Sequence, residues 1–192
     1  MNYENEIVKL IQESIEVKEK LKASLKKEIA ESAALIIRAF RDGRQLLVCG
    51  NGGSAADSQH FVAELVGRFE MERKPLPAIA LTVNTSILTA WSNDYSYDTV
   101  FSRQVEALGR KGDILFAIST SGNASSVIEA MKKAKEMGLV TIALTGKEGG
   151  EMKAWADCSL IVQDKATPHI QEAHITIIHI LCSLIEKELF TR

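Results

Sequence analysis

Leu46-Leu47-Val48-Cys49-Gly50-Asn51-Gly52-Gly53-Ser54-Ala55-Ala56-Asp57-Ser58-Gln59-His60-Phe61-Val62-Ala63-Glu64 is the stretch on which the fold turns. Its apolar start reads as a buried strand, its glycines free the backbone to turn and present bare N–H groups, and Ser54 reads as the N-cap of the helix that follows. Strand, polar turn and helix N-terminus in that order suit a phosphate, because the turn donors and the helix dipole aim at one point. The loop lacks the Lys-[Ser/Thr] ending of a nucleotide P-loop and the third glycine of a dinucleotide fingerprint, so a sugar phosphate fits it better than a nucleotide. Within the helix, His60 and Glu64 lie about 6 Å apart along the axis and ~40° around it, so both can meet one ion or one substrate edge. A surface or core hydrogen-bonded couple is the plainer use of such a pair.

Outward from this stretch the pattern alternates. Two helices are expected between Asn2 and Asp42, a run without Gly or Pro that Gly43 ends. Then follow a strand near 45–49, a helix over 54–68, a strand near 78–82, helices near 85–91 and 101–108, and a strand over 113–118. A helix over 123–137, a strand over 139–145, a short helix near 150–156, a strand over 159–162 and a helix over 169–190 complete the chain. Alternation of this kind predicts an α/β fold with a parallel sheet covered on both faces.

Composition narrows the functional classes. The chain has 192 residues, 46% of them hydrophobic, and a formal net charge of -2. One domain with a full core is expected. Lysines of the N-terminal third alternate with glutamates, so no basic stripe points to nucleic acid. The acidic start Met1-Asn2-Tyr3-Glu4 lacks a signal-peptide core, and no apolar run approaches the ~20 residues of a membrane span, which predicts a cytoplasmic protein. Cys49, Cys158 and Cys182 sit in apolar segments and read as reduced, buried thiols.

A second turn repeats the design of the first. Ile114-Leu115-Phe116-Ala117-Ile118 runs into Ser119-Thr120-Ser121-Gly122-Asn123, which offers three hydroxyls and free N–H groups ahead of a helix. Both turns are expected at the carboxyl edge of the sheet, where open α/β sheets bind ligands. Asn93 and Asp94, after the short helix, can serve sugar hydroxyls or simply form an Asx turn, and Arg68 can add a cation or meet a helix C-terminus. The last helix carries Gln171, Glu172, His174 and His179 in a run that is apolar nearly all round, which predicts burial on more than one side and a subunit contact. On helical phase Glu172 shares the face of His179, whereas Gln171 and His179 are about 12 Å and ~80° apart, and His174 points elsewhere. His179 is open to two readings, a satisfied core residue or a group tuned by burial for proton transfer.

Taken together, Cys49 to Ser54, His60 to Glu64, Asn93-Asp94, Phe101-Ser102-Arg103, Gly112-Asp113, Ser119 to Asn123, Leu144-Thr145-Gly146 with Gly149-Gly150, and Ile170-Gln171-Glu172 followed by His174 and His179 resemble the phosphoheptose isomerases of the sugar isomerase (SIS) superfamily over nearly the whole chain. The resemblance implies a flavodoxin-like, three-layer αβα fold with a five-stranded parallel sheet. It implies a single SIS domain over 1–192, with 1–42 a helical oligomerisation segment and 43–192 the α/β core, in a homotetramer whose sites lie at subunit interfaces. It further implies one zinc ion per subunit held by His60, Glu64, Gln171 and His179, and substrate contacts from Asn51, Gly52, Gly53, Ser54, Asn93, Asp94, Ser119, Thr120, Ser121 and Gln171. Family members commonly carry a serine directly after Ser-Thr-Ser-Gly-Asn, where this chain has Ala124 and then Ser125. Near Gln171, Thr167-Pro168-His169 replaces the acidic or arginine residue of some relatives.

The expected reaction is ketose–aldose isomerisation of sedoheptulose 7-phosphate to a glycero-manno-heptose 7-phosphate, with Glu64 as base and His179 as acid. Two other readings keep much of the motif set. One is a non-catalytic SIS protein of the kind associated with the bacterial replication initiator, against which the retained His/Glu pair argues. The other is an isomerase of a different phosphosugar.

Overall fold

The computed structural model describes residues 2–191. Helices α1 (Tyr3–Ser24) and α2 (Lys26–Arg41) precede an alternating array: β1 (Leu46–Gly50), α3 (Gly53–Val66), β2 (Ala78–Ala80), α4 (Thr85–Asp94), α5 (Val100–Leu108), β3 (Ile114–Ser119), α6 (Ser125–Glu136), β4 (Val140–Gly146), β5 (Cys158–Val162) and α7 (Thr167–Phe190). The five strands are all parallel, in the order β2-β1-β3-β4-β5. That is the flavodoxin-like order, whose topological switch point lies between β1 and β3.

Every residue of β1 and β3 is buried, as strands covered on both faces require. One face packs Val48, Phe116 and Leu144 against α2, α3 and α7, and the same cluster takes in Val17 and Leu21 of α1. The other packs Leu47, Leu115 and Ala143 against α5 and α6. In α3, Phe61 meets Phe116 edge-on at 5.1 Å between ring centroids.

Several element boundaries differ from expectation for local reasons. Helix α3 begins at Gly53 with Gly52 as its N-cap, so Ser54 lies inside the first turn and is not the cap. Helix α4 continues to Asp94, which places Asn93 and Asp94 in a last helical turn rather than in an Asx turn after it. Helix α7 starts at Thr167, because Pro168 falls in the first turn, where the missing N–H costs nothing. The turn after β3 depends on Gly122: at φ +68° it is in the left-handed region, and a Cβ there would lie 2.1 Å from the Gly149 carbonyl.

Helix α7 is anchored through His174, which is fully buried, with Nε2 3.1 Å from the Thr145 carbonyl of β4. Burial holds its imidazole neutral and pushes its pKa from 6.5 down to about 4, against the opposing pull of the Thr145 carbonyl. The unfolded chain therefore takes up a proton that the folded chain refuses between these values, and stability falls as pH drops through that window. The expected loss from pH 7 to pH 5 is roughly 2 kcal/mol from this residue, at 1.36 kcal/mol per pKa unit. Urea unfolding at both pH values, at one protein concentration, should show His174→Gln losing that much less than the parent; equal losses would rule the assignment out.

Candidate active site at the sheet switch point

The register of β1 on β3 sets Gly50 opposite Ile118, so the turn beginning at Asn51 and the turn ending β3 at Ser119 leave the sheet side by side. The Asn51 side chain is fixed from two directions. Its amide donates to Ser126 Oγ at 2.9 Å, and its carbonyl accepts from the Tyr97 hydroxyl at 2.6 Å. Neither Tyr97 nor Ser126 stood out in the sequence, since each reaches Asn51 from a distant segment. In the second turn, the Ser119 and Ser121 hydroxyls lie 3.3 Å apart, and Ser121 Oγ accepts from the Asn123 N–H at 3.1 Å. Thr120 between them is partly exposed. The N-terminus of α6 follows, with Ala124 as an N-cap whose side chain makes no capping bond.

Helices α3 and α7 lie side by side on one sheet face and run the same way. Ser54, Ser58, Phe61 and Leu65 of α3 are buried. His60 and Glu64, on its flank, are the pair that meets α7. At the loop end, the Gln171 amide sits against Gly53, where a Cβ would lie 2.1 Å from Gln171 Nε2. Two turns further along, His60 Nε2 is 3.0 Å from His179 Nε2 and 3.1 Å from Glu64 Oε1. One ligand atom from each of His60, Glu64 and His179 lies within 4.8 Å of the others. The Phe69 ring lies 5.5 Å from the His179 ring, tilted 33° to it.

This donor set fits a zinc ion. Two facing imidazole nitrogens 3.0 Å apart can share one proton or one cation. The edge of a zinc tetrahedron with nitrogen ligands is about 3.3 Å, close to both separations. Two imidazoles and a carboxylate are a common ligand set for catalytic zinc, with a fourth position left open. One turn before His60, Asp57 has a buried Oδ2 without a protein partner. Burial raises its carboxyl to about 6, against the lowering effect of His60.

The other expected residues lie apart from the triad. Ser54 is only 3% exposed. Asn93 and Asp94 bond to each other at 2.9 Å on the exposed end of α4. Gln171 lies with the glycine turn, while Glu172, in phase with His179, is bonded to Ser14 of α1 and so serves helix docking. Arg68 pairs with Glu72 at 2.9 Å. The thiols of Cys49 and Cys182 are pushed by burial to about 12, which leaves neither as a nucleophile.

A family model for the SIS domain matches residues 9–146. A phosphoheptose isomerase of Clostridium acetobutylicum is 54% identical over 182 residues, covering 94% of this chain and 93% of that protein. Among solved structures, a phosphoheptose isomerase from Neisseria gonorrhoeae superposes with a TM-score of 0.92 at 44% identity, over 97% of this chain and 100% of that one. One from Francisella tularensis gives 0.94 at 38% identity over the same shares. Likeness of this extent, in sequence and in backbone alike, places the chain in the SIS domain family and, within it, among the phosphoheptose isomerases.

Proposed function

We propose that the protein interconverts sedoheptulose 7-phosphate and glycero-manno-heptose 7-phosphate in the cytoplasm, supplying the heptose of ADP- or GDP-activated precursors for lipopolysaccharide or another surface glycan. The observation that carries this reading is the convergence of His60, Glu64 and His179, two of them on the helix that opens at the first of two phosphate-suited turns. A non-catalytic SIS protein has no need of that convergence.

In this reading the phosphate sits on the Ser119–Ser121 turn, where hydroxyls, backbone N–H groups and the N-terminus of α6 all favour an anion. Asn51, Gly52, Gly53, Ser54 and Gln171 line the way toward the triad, and Asn93 and Asp94 serve the sugar hydroxyls. Glu64 removes the proton from the carbon next to the carbonyl, and His179 returns one to the neighbouring carbon of the enediol. His60, Glu64 and His179 would hold a zinc ion, with Gln171, which sits two turns away at the glycine turn, a fourth ligand only from a neighbouring subunit, and the ion would polarise the sugar oxygens as a Lewis acid. A carboxylate bound to a cation is a weaker base, so Glu64 would either leave the metal during turnover or be one ligand of a site that mainly organises the reacting groups.

We further propose a homotetramer, with residues 1–42 as the oligomerisation segment of a single SIS domain over 1–192. Support comes from α1, where Tyr3, Ile7, Val8, Leu10, Ile11 and Ile15 are exposed. Ile180 and Leu184 of α7 are also open, at 40% and 38%. An apolar stripe of this extent marks an interaction surface.

Glu64→Gln should lower kcat by about 100-fold or more, the usual worth of a general base, with an unchanged circular dichroism spectrum. An NMR assay of the heptose anomeric protons, run with zinc and again after chelation, measures this and the metal requirement. Normal turnover in the variant would refute the role of Glu64. Ala124→Ser adds both a hydroxyl to the phosphate cradle and an N-cap to α6; it should lower KM several-fold and stabilise the chain by about 1 kcal/mol. An unchanged KM would place the phosphate elsewhere. The double change Ile7→Glu with Ile11→Glu should split the tetramer in sedimentation equilibrium, and an unaltered mass would remove α1 from the interface.

A further inference from the structure

Seven residues beyond His179 on α7, and so on nearly the same face, Glu186 is buried together with Arg73, each side chain 1% exposed. Arg73 Nε donates to Glu186 Oε1 at 2.8 Å. The rest of the guanidinium serves the end of α3. Nη2 donates to the Glu64 carbonyl at 2.7 Å, and Nη1 to the Leu65 carbonyl at 2.7 Å. These carbonyls belong to the last turn of α3, where the helix itself offers no donor. Glu186 in turn accepts the backbone N–H groups of Phe69, Glu70 and Met71 at 2.9, 2.9 and 3.2 Å. Those bonds fix the segment that carries Phe69 against the His179 ring.

A buried ion pair adds little stability over an apolar pair of the same volume, because desolvation offsets the attraction. What an apolar pair could not do is bond to the backbone of Glu64 and to the Phe69 segment at once. We propose that Arg73 and Glu186 are positioning residues that clamp the C-terminal end of α3 to α7, and so keep His60 and Glu64 at ligand distance from His179. The metal consequence rests on the triad's holding zinc. The clamp itself concerns the placement of the two histidines and stands on the geometry alone.

Glu186→Gln removes the charge and keeps the shape. Arg73→Lys keeps the charge and loses the planar fork, so that it cannot serve Glu186 and both carbonyls together. Met131→Ala, in the core on the opposite sheet face, supplies a destabilised control remote from the site. Zinc affinity is measured on the folded full chain by competition with a chromophoric chelator. Contacts between the His60 and His179 rings are followed separately in the zinc-free protein by NMR with ring-labelled histidine, of which the chain has 4. The expected result is a loss of zinc affinity of about 10- to 100-fold in Glu186→Gln, the usual effect of removing outer-shell support. A smaller loss is expected in Arg73→Lys, with the ring contact weakened in both and preserved in Met131→Ala. Zinc affinity within twofold of the parent and an intact ring contact in both clamp variants would overturn the proposal. A parent chain that takes up no zinc would end the metal reading, while the ring contacts would still decide on the clamp. If Glu186→Gln fails to fold, Arg73→Lys decides by the same two readouts.

Discussion

The parallel pairing of β1 with β3 is the constraint on which the site depends. The two strands end at one edge of the sheet, but the chain leaving β1 travels to β2 on one side, and the chain leaving β3 travels to β4 on the other. The connections diverge, so a crevice opens between the turns. Backbone register alone then sets Asn51 next to Ser119. Two turns that would be ordinary helix starts anywhere else in the fold become neighbours at one edge of the sheet.

The triad rests on two helices that share a direction. Phe61 and Leu65 hold α3 to the sheet, and Ile170, Ile177 and Leu181 do the same for α7. Because they run alike, each level of one meets the same level of the other: Gly53 with Gln171, His60 with His179, and the end of α3 with Glu186 through Arg73. Polar groups meet at all three levels, and at the buried level of Glu186 and Arg73 they are bonded, as burial requires. The triad is the exception in kind, since its two imidazole nitrogens and carboxylate are arranged around a shared point.

Much of the fold was legible because its signals are local. Alternation of apolar strands with amphipathic helices marks every element, and the four-residue spacing of His60 and Glu64 places both on one flank of α3 without knowledge of the tertiary structure. Errors arose where a boundary obeys a rule weaker than a side-chain cap. Gly52 caps α3 with no side chain, and Pro168 lies inside α7 instead of before it. What stayed hidden is non-local. Tyr97 and Ser126 meet Asn51 across 46 and 75 residues, and Glu172 is drawn to Ser14 across 158. Helical phase set Glu172 on the side of His179, whereas α1 claims that side chain and Gln171 is the residue that reaches α3.

The three thiols are free and buried among apolar side chains. Soft cations such as copper(I) are drawn to thiolates, whereas the ligands offered at the triad are imidazole and carboxylate. Among the described residues, the cysteine sulfur atoms are walled into the interior and kept protonated, so no surface thiolate competes for such ions. What a cation meets at the triad is therefore imidazole and carboxylate, while the cysteine sulfur stays out of its reach.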